Sequence, residues 1–230
     1  MTSIQKQNIA VGIAFTFHFC GAIGILFSPY KDWFINNTFL NLLLMVGLIL
    51  LTQENKNKWF YLFMVTCFCV GFLVEFIGVN THILFGNYVY GNSMGIKFKS
   101  VPIIIGLQWF VVIYCCGVIM NFVSHWAKRK LKEYGEEDKT TKKAGSISLM
   151  IDASLLATLF DYIIEPAAQK LGYWKWENNT VPFFNYTCWF FISAGLLMIF
   201  DRLEFNKLNK FAIHLFIIQM LFFTALRMYL

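Results

Sequence analysis

Seven stretches of the chain are long and apolar enough to cross a bilayer as helices: roughly residues 8–27, 33–51, 59–79, 101–124, 147–165, 181–200 and 211–229. Hydrocarbon offers no water to backbone N–H and C=O groups, so a spanning segment must be a helix or belong to a closed barrel. None of the seven shows the alternation of a barrel strand. Composition agrees: of 230 residues, 58% are hydrophobic, 19% aromatic and 14% charged. A soluble domain of this length could not hide so much apolar surface. The expected fold is all-α, a polytopic integral membrane protein of about seven transmembrane helices in a single membrane domain over 1–230. The first stretch has no A-x-A cleavage site, so it reads as a retained helix rather than a signal peptide.

Basic residues set the expected orientation. With the N-terminus cytoplasmic, the inner side holds Lys6, Lys56, Lys58, Lys128, Arg129, Lys130, Lys132, Lys139, Lys142, Lys143, Arg202, Lys207 and Lys210, thirteen of the nineteen Lys and Arg. The C-terminus is then outside, and the expected location is a cell membrane, multi-pass, of the bacterial inner-membrane type. The net charge of +6 mostly reflects this asymmetry, so no nucleic-acid partner is implied. Residues 125–146 read as a solvated cytoplasmic linker that can touch membrane lipid. The six cysteines lie in apolar runs without metal-ligand spacing and read as small core hydrophobes, not as a disulfide framework.

Two segments repeat. Glu75 is followed by "GNYVY" from Gly86 and "VPIIIGLQW" from Val101; Asp161 is followed by "GYWKW" from Gly172 and "VPFFNYTCW" from Val181. Each acid precedes its glycine by eleven residues, aromatics stand two and four after the glycine, and a Trp stands seven after the Pro. The flanking spans run the same way in both copies. They form parallel helical hairpins, repeat A about 59–124 and repeat B about 147–200, related by a pseudo-twofold along the membrane normal. Glu75 and Asp161 should share one depth near the outer face, with Tyr88, Tyr90, Trp174 and Trp176 just above.

Ionisable residues inside spans are functional candidates. Glu75, Asp152 and Asp161 lie within spans and Glu165 at the end of one, none with a Lys or Arg in its own span. Asp161 and Glu165 share a helix face with Ser154 and Thr158; Asp152 points about 180° away and reads as a packing residue. Carboxyl groups buried without a counter-charge tend to stay protonated. A proton donor beside π faces that stabilise a cation suits carbocation chemistry on an alkene.

Other chemistries fit less well. His18, His82, His125 and His214 form no HxxxH or HxxH pair, so a histidine-rich di-iron site is not expected, nor any metal site. There is no nucleophile elbow, P-loop or dinucleotide fingerprint. The last span has no Lys for a retinal Schiff base.

At "EFIGVNTHILFGNYVY", "VPIIIGLQW", "DYIIEP", "GYWKW" and "VPFFNYTCW" the chain resembles the CruF-type carotenoid biosynthesis family, the membrane carotenoid 1,2-hydratases. The resemblance covers roughly residues 59–200. It departs at Thr81-His82, where the family is expected to have Thr-Gly, and at Glu165-Pro166, where Asp-Pro is expected. It implies addition of water to the terminal C1–C2 double bond of an acyclic carotenoid, lycopene- or gamma-carotene-like, with no redox cofactor. On that reading Asp161 or Glu75 protonates C2, and Tyr88, Tyr90, Trp174 and Trp176 face the tertiary cation at C1. Glu165, Asn185 or His82 holds the attacking water; Trp109 and Trp189 complete the substrate site. The alternatives are a lycopene cyclase-like enzyme, in which an internal alkene captures the same cation, and a non-catalytic membrane carrier of a small amphiphile.

Overall fold

The computed structural model describes residues 2–133 and 139–230. These hold eight α-helices: α1 (Ser3–Phe27), α2 (Lys31–Asn36), α3 (Thr38–Thr52), α4 (Lys58–Thr81), α5 (Ile105–Glu133), α6 (Lys139–Lys170), α7 (Phe183–Arg202) and α8 (Lys210–Tyr229). Among the described residues, α1, α4, α5, α7 and α8 are long and apolar enough to cross a membrane. The chain is an all-α polytopic membrane protein.

The second expected span is broken. It forms α2 and α3, which part at Asn37, whose Nδ2 donates to the Trp33 carbonyl at 2.8 Å. A short amide side chain that bonds its own backbone competes with helix continuation. The remaining α3 has 15 residues, about 22 Å of helix against a hydrocarbon thickness near 30 Å. Most of the expected linker, 125–146, is helical: α5 runs on to Glu133 and α6 begins at Lys139. Its residues 134–138 lie outside the described residues.

Loop contacts fix which ends of the helices lie together. At one end the Thr38 and Tyr173 hydroxyls bond at 2.7 Å, joining the loops before α3 and after α6. At the other end, Gln53 Nε2 donates to the Asn206 carbonyl at 2.6 Å and Asn57 Nδ2 to the Glu204 carbonyl at 2.7 Å. The loop before α4 thus sits beside the loop before α8. With α2 and α3 counted together, the described residues run from one end of the bundle to the other seven times.

The centre is α5. From Trp109 to Cys116 every residue is fully buried, as an all-round apolar "WFVVIYCC" requires. It packs on α3, α4, α6, α7 and α8. α6 carries Pro166 inside it, and proline removes the N–H that would bond the carbonyl four residues earlier. That carbonyl belongs to Tyr162 and accepts from Arg227 Nη1 at 3.4 Å, while the guanidinium lies over the Tyr162 ring, 4.8 Å from its centroid.

The interhelical loops of the two repeats meet. Strand β1 (Tyr88–Tyr90) pairs antiparallel with β4 (Trp174–Trp176), in the register Tyr88 to Trp176, Val89 to Lys175 and Tyr90 to Trp174. A smaller hairpin joins β2 (Lys97–Phe98) to β3 (Val101–Pro102). The corners before β1 and β4 are Gly86 and Gly172, with φ of 119° and 71°, a region that costs glycine nothing. The glycines that occupy matching places in the repeat occupy matching corners in space.

Candidate active site

Side chains alternate across a strand. In the β1–β4 ribbon this sends Tyr88, Tyr90 and Trp176 inward and leaves Val89 and Lys175 exposed. The inward groups hold two buried acids by their polar edges. Tyr88 and Tyr90 donate their hydroxyls to Glu75 Oε2 at 2.5 and 2.7 Å, and Trp109 donates its indole N–H to Glu75 Oε1 at 3.0 Å. Trp174 and Trp176 donate their indole N–H groups to Glu165 Oε2 at 2.9 and 2.7 Å. Burial, with the Glu75 carboxyl beside them, pushes both tyrosine hydroxyls well above the ordinary phenol range, so they stay donors.

Asp161 is held differently. Among the described residues its Oδ2 accepts one hydrogen bond, from Asn185 Nδ2 at 2.6 Å. Glu75 is 5% exposed and Asp161, Glu165 and Asn185 are each 2% exposed. Together with Tyr88, Tyr90, Trp174, Trp176, Trp109 and Trp189 they line one cavity of about 40 Å³. That volume admits water and is far too small for a branched hydrocarbon end in its present shape. The floor of the cavity is the parallel stack of Trp109 on Trp189, with centroids 3.9 Å apart and planes 9° apart. Gly71 makes room for it: any side chain there would strike the Cβ and ring of Trp109.

The pairings have the symmetry of the sequence repeat. In the repeat Tyr88 corresponds to Trp174 and Tyr90 to Trp176, and the antiparallel register exchanges them. Val89 pairs with Lys175, its own counterpart, and Trp109 stacks on Trp189, its own counterpart. Both contacts therefore join residues that match in the sequence repeat. The acids break the symmetry. In repeat A one carboxyl group takes all three donors. In repeat B the aromatic donors go to Glu165, and Asp161 is left with an amide.

Ten of the eleven residues singled out from sequence line this cavity. The exception is His82, which is exposed and ends α4 in the left-handed conformation, φ 57°, its N–H bonded to the Gly78 carbonyl at 2.9 Å. It does not reach the cavity, so its expected part in holding water is withdrawn. Its backbone conformation is the one glycine favours at a helix end, which explains how a Gly can stand there. His82→Gly is therefore expected to keep parental turnover and thermal stability; a substantial loss of turnover in membranes would put the imidazole back in the site. Asp152 is exposed and accepts from Ser148 Oγ at 3.3 Å, away from the cavity. Sequence reasoning missed Gln108, Phe85, Phe160, Ile105 and Ile164 as lining residues. Four of the five lie within the quoted motifs: Gln108 and Ile105 in "VPIIIGLQW", Phe85 in "EFIGVNTHILFGNYVY" and Ile164 in "DYIIEP".

No curated protein and no solved structure was found to match the chain. A family model described as carotenoid biosynthesis protein matches residues 36–230, a wider span than the motifs alone indicated. Most of the chain falls within that match, including every residue lining the cavity. The chain belongs to the carotenoid biosynthesis protein family.

Proposed function

We propose that the protein hydrates an acyclic carotenoid end group, adding water across the terminal C1–C2 double bond to give a tertiary alcohol. The observation that carries this reading is the unequal bonding of three buried carboxyl groups around one aromatic-walled cavity. Glu75 and Glu165 accept from groups that can only donate or are committed to donating. Asp161 accepts a single bond, which leaves a carboxyl oxygen able to carry a proton toward the cavity.

The steps balance as follows. Asp161 gives its proton to C2, and the π electrons form the new C2–H bond. Positive charge develops at C1, where three methyl or methylene substituents and the negative charge left on Asp161 stabilise it. A water held by Glu165 and the Asn185 carbonyl oxygen forms the C1–O bond, and its surplus proton returns to the Asp161 carboxylate. Nothing is oxidised or reduced, so the reaction calls for no redox cofactor. Burial keeps competing water away from the cation. Glu75, tied to Tyr88, Tyr90 and Trp109, positions the aromatic wall. The two hairpins, about 59–124 and 147–200, act as parallel repeats about a pseudo-twofold axis along the membrane normal, a reading supported by the contacts between matching residues. The N-terminus is cytoplasmic and the site lies near the outer face, as the distribution of Lys and Arg supports.

The test is product analysis in a host that accumulates lycopene. A hydroxylated acyclic product is expected. A ring would assign the same cation to cyclisation, and unchanged lycopene, with the protein present in the membrane, would favour a carrier.

A further inference from the structure

A second cavity, of about 610 Å³, lies between α1, α2, α3, α5 and α8. Its volume falls in the range of sites that enclose organic ligands, whereas the acid cavity in its present shape has room for water-sized groups. The walls are chiefly apolar: Phe17 and Gly21 from α1, Trp33 from α2, Leu40 from α3 and Phe222 from α8. Phe17, Trp33 and Leu40 are exposed, so the groove opens sideways from the bundle, where lipid would lie. Gln108 lines this groove and also lines the acid cavity. Tyr173 does much the same through the chain: it lines the groove, and its neighbour Trp174 lines the acid cavity.

We infer that this groove holds the polyene arm of the substrate, and that Gln108 stands at the junction where the reactive end passes into the acid cavity. The inference rests on the hydration reading for the identity of the substrate. A carotenoid dissolves in the bilayer, so it must come from the side, and the groove opens there. The acid cavity, about 40 Å³ in this structure, must widen to admit the reactive end, and the long remainder needs a house next door; the groove that shares a wall with that cavity supplies the room. A phospholipid tail could fill the groove as well, yet it would gain nothing from a junction with three carboxyl groups. One wall, α1, lies outside residues 36–230, so the groove draws on a part of this chain beyond the family match.

Gly21 is the place to block it. A Cβ added there would meet only Phe222, at 3.7 Å, so a larger side chain projects into the groove rather than into backbone. Gly47 serves as control: a Cβ there meets nothing within 4 Å, and Gly47 does not line the groove. In lipid nanodiscs, Gly21→Trp is expected to lower kcat/KM for lycopene at least ~10-fold and to spare a fifteen-carbon acyclic analogue with the same end group, because only the arm is obstructed. Gly47→Trp should resemble the parent with both. Unchanged turnover of lycopene by Gly21→Trp, or equal loss with both substrates, would overturn the inference.

A second measurement needs neither turnover nor a variant. Cys20 is exposed and lines the groove, while Cys69 is exposed on α4 and does not. Lycopene added to parental nanodiscs should slow alkylation of Cys20 at least ~5-fold, as an occupied site shields its wall, and leave Cys69 unaffected. No lycopene-dependent protection means an acyl tail or nothing fills the groove, and the inference falls. Protection of Cys20 without any hydroxylated product would leave the groove standing and remove the hydration reading.

Discussion

Asp161→Asn is expected to lower turnover at least ~100-fold, the ordinary scale for losing a general acid, while the protein still folds. The amide has the shape of the carboxyl group, and its oxygen can still accept from Asn185 Nδ2, the one hydrogen bond that Asp161 makes. What it lacks is a proton to give. Asp152→Asn is the companion, because Asp152 is exposed on the same helix and, among the described residues, bonds to Ser148 within it. It should keep most of its activity. Conversion of lycopene in membranes at matched protein amounts checks both. A fully active Asp161→Asn beside an inactive Asp152→Asn would place the site on the wrong face of α6.

The second large effect is on folding. Glu75→Ala would strand the Tyr88 and Tyr90 hydroxyls and the Trp109 indole N–H, all of which now donate to this one carboxyl group. Each buried donor left without a partner costs ~1–3 kcal/mol. Three together reach ~3–9 kcal/mol, a large part of the total stability of a typical domain. Glu75→Ala is therefore expected not to accumulate as folded protein. Glu75→Gln should accumulate, since its carbonyl oxygen can keep the Trp109 donor, and tyrosine hydroxyls can turn to accept from its amide. Turnover should then fall ~10-fold, as the aromatic wall is held by weaker bonds. Yield and thermal unfolding in detergent read the first effect, and conversion reads the second. A Glu75→Ala protein as abundant and stable as the parent would show that the aromatic cluster does not depend on this acid.

Five of the seven expected spans, now α1, α4, α5, α7 and α8, were readable in the sequence because bilayer thickness sets a minimum length for an apolar crossing. The break at Asn37 was not, since one amide bonding to one carbonyl leaves no trace in a hydropathy window. The acids were found through their spacing to Gly86 and Gly172, and both glycines turned out to sit at left-handed corners. Spacing located the rings in depth but said nothing about how they turn. Tyr88, Tyr90, Trp174 and Trp176 were expected to present faces to a cation; they present their O–H and N–H edges to Glu75 and Glu165 and pack against each other, Tyr88 lying 4.9 Å from Trp176. That arrangement depends on the pairing of β1 with β4, a contact across more than eighty positions of chain that no local pattern announces. His82 was misread for the opposite reason: a polar ring in a loop suggests chemistry, and here the left-handed backbone is what the position needs. Gln108 escaped notice because an amide among apolar neighbours looks like packing until the second cavity is seen beside it.

Hydration by protonation makes one demand that neither cyclisation nor carriage shares: the oxygen of the product must come from water. Lycopene incubated with the membrane-embedded protein in ¹⁸O-labelled water, under strict exclusion of oxygen gas, is expected to yield an alcohol that carries the label, with Asp161→Asn yielding none. An unlabelled alcohol, or a product that forms only when oxygen gas is admitted, would contradict the addition of water.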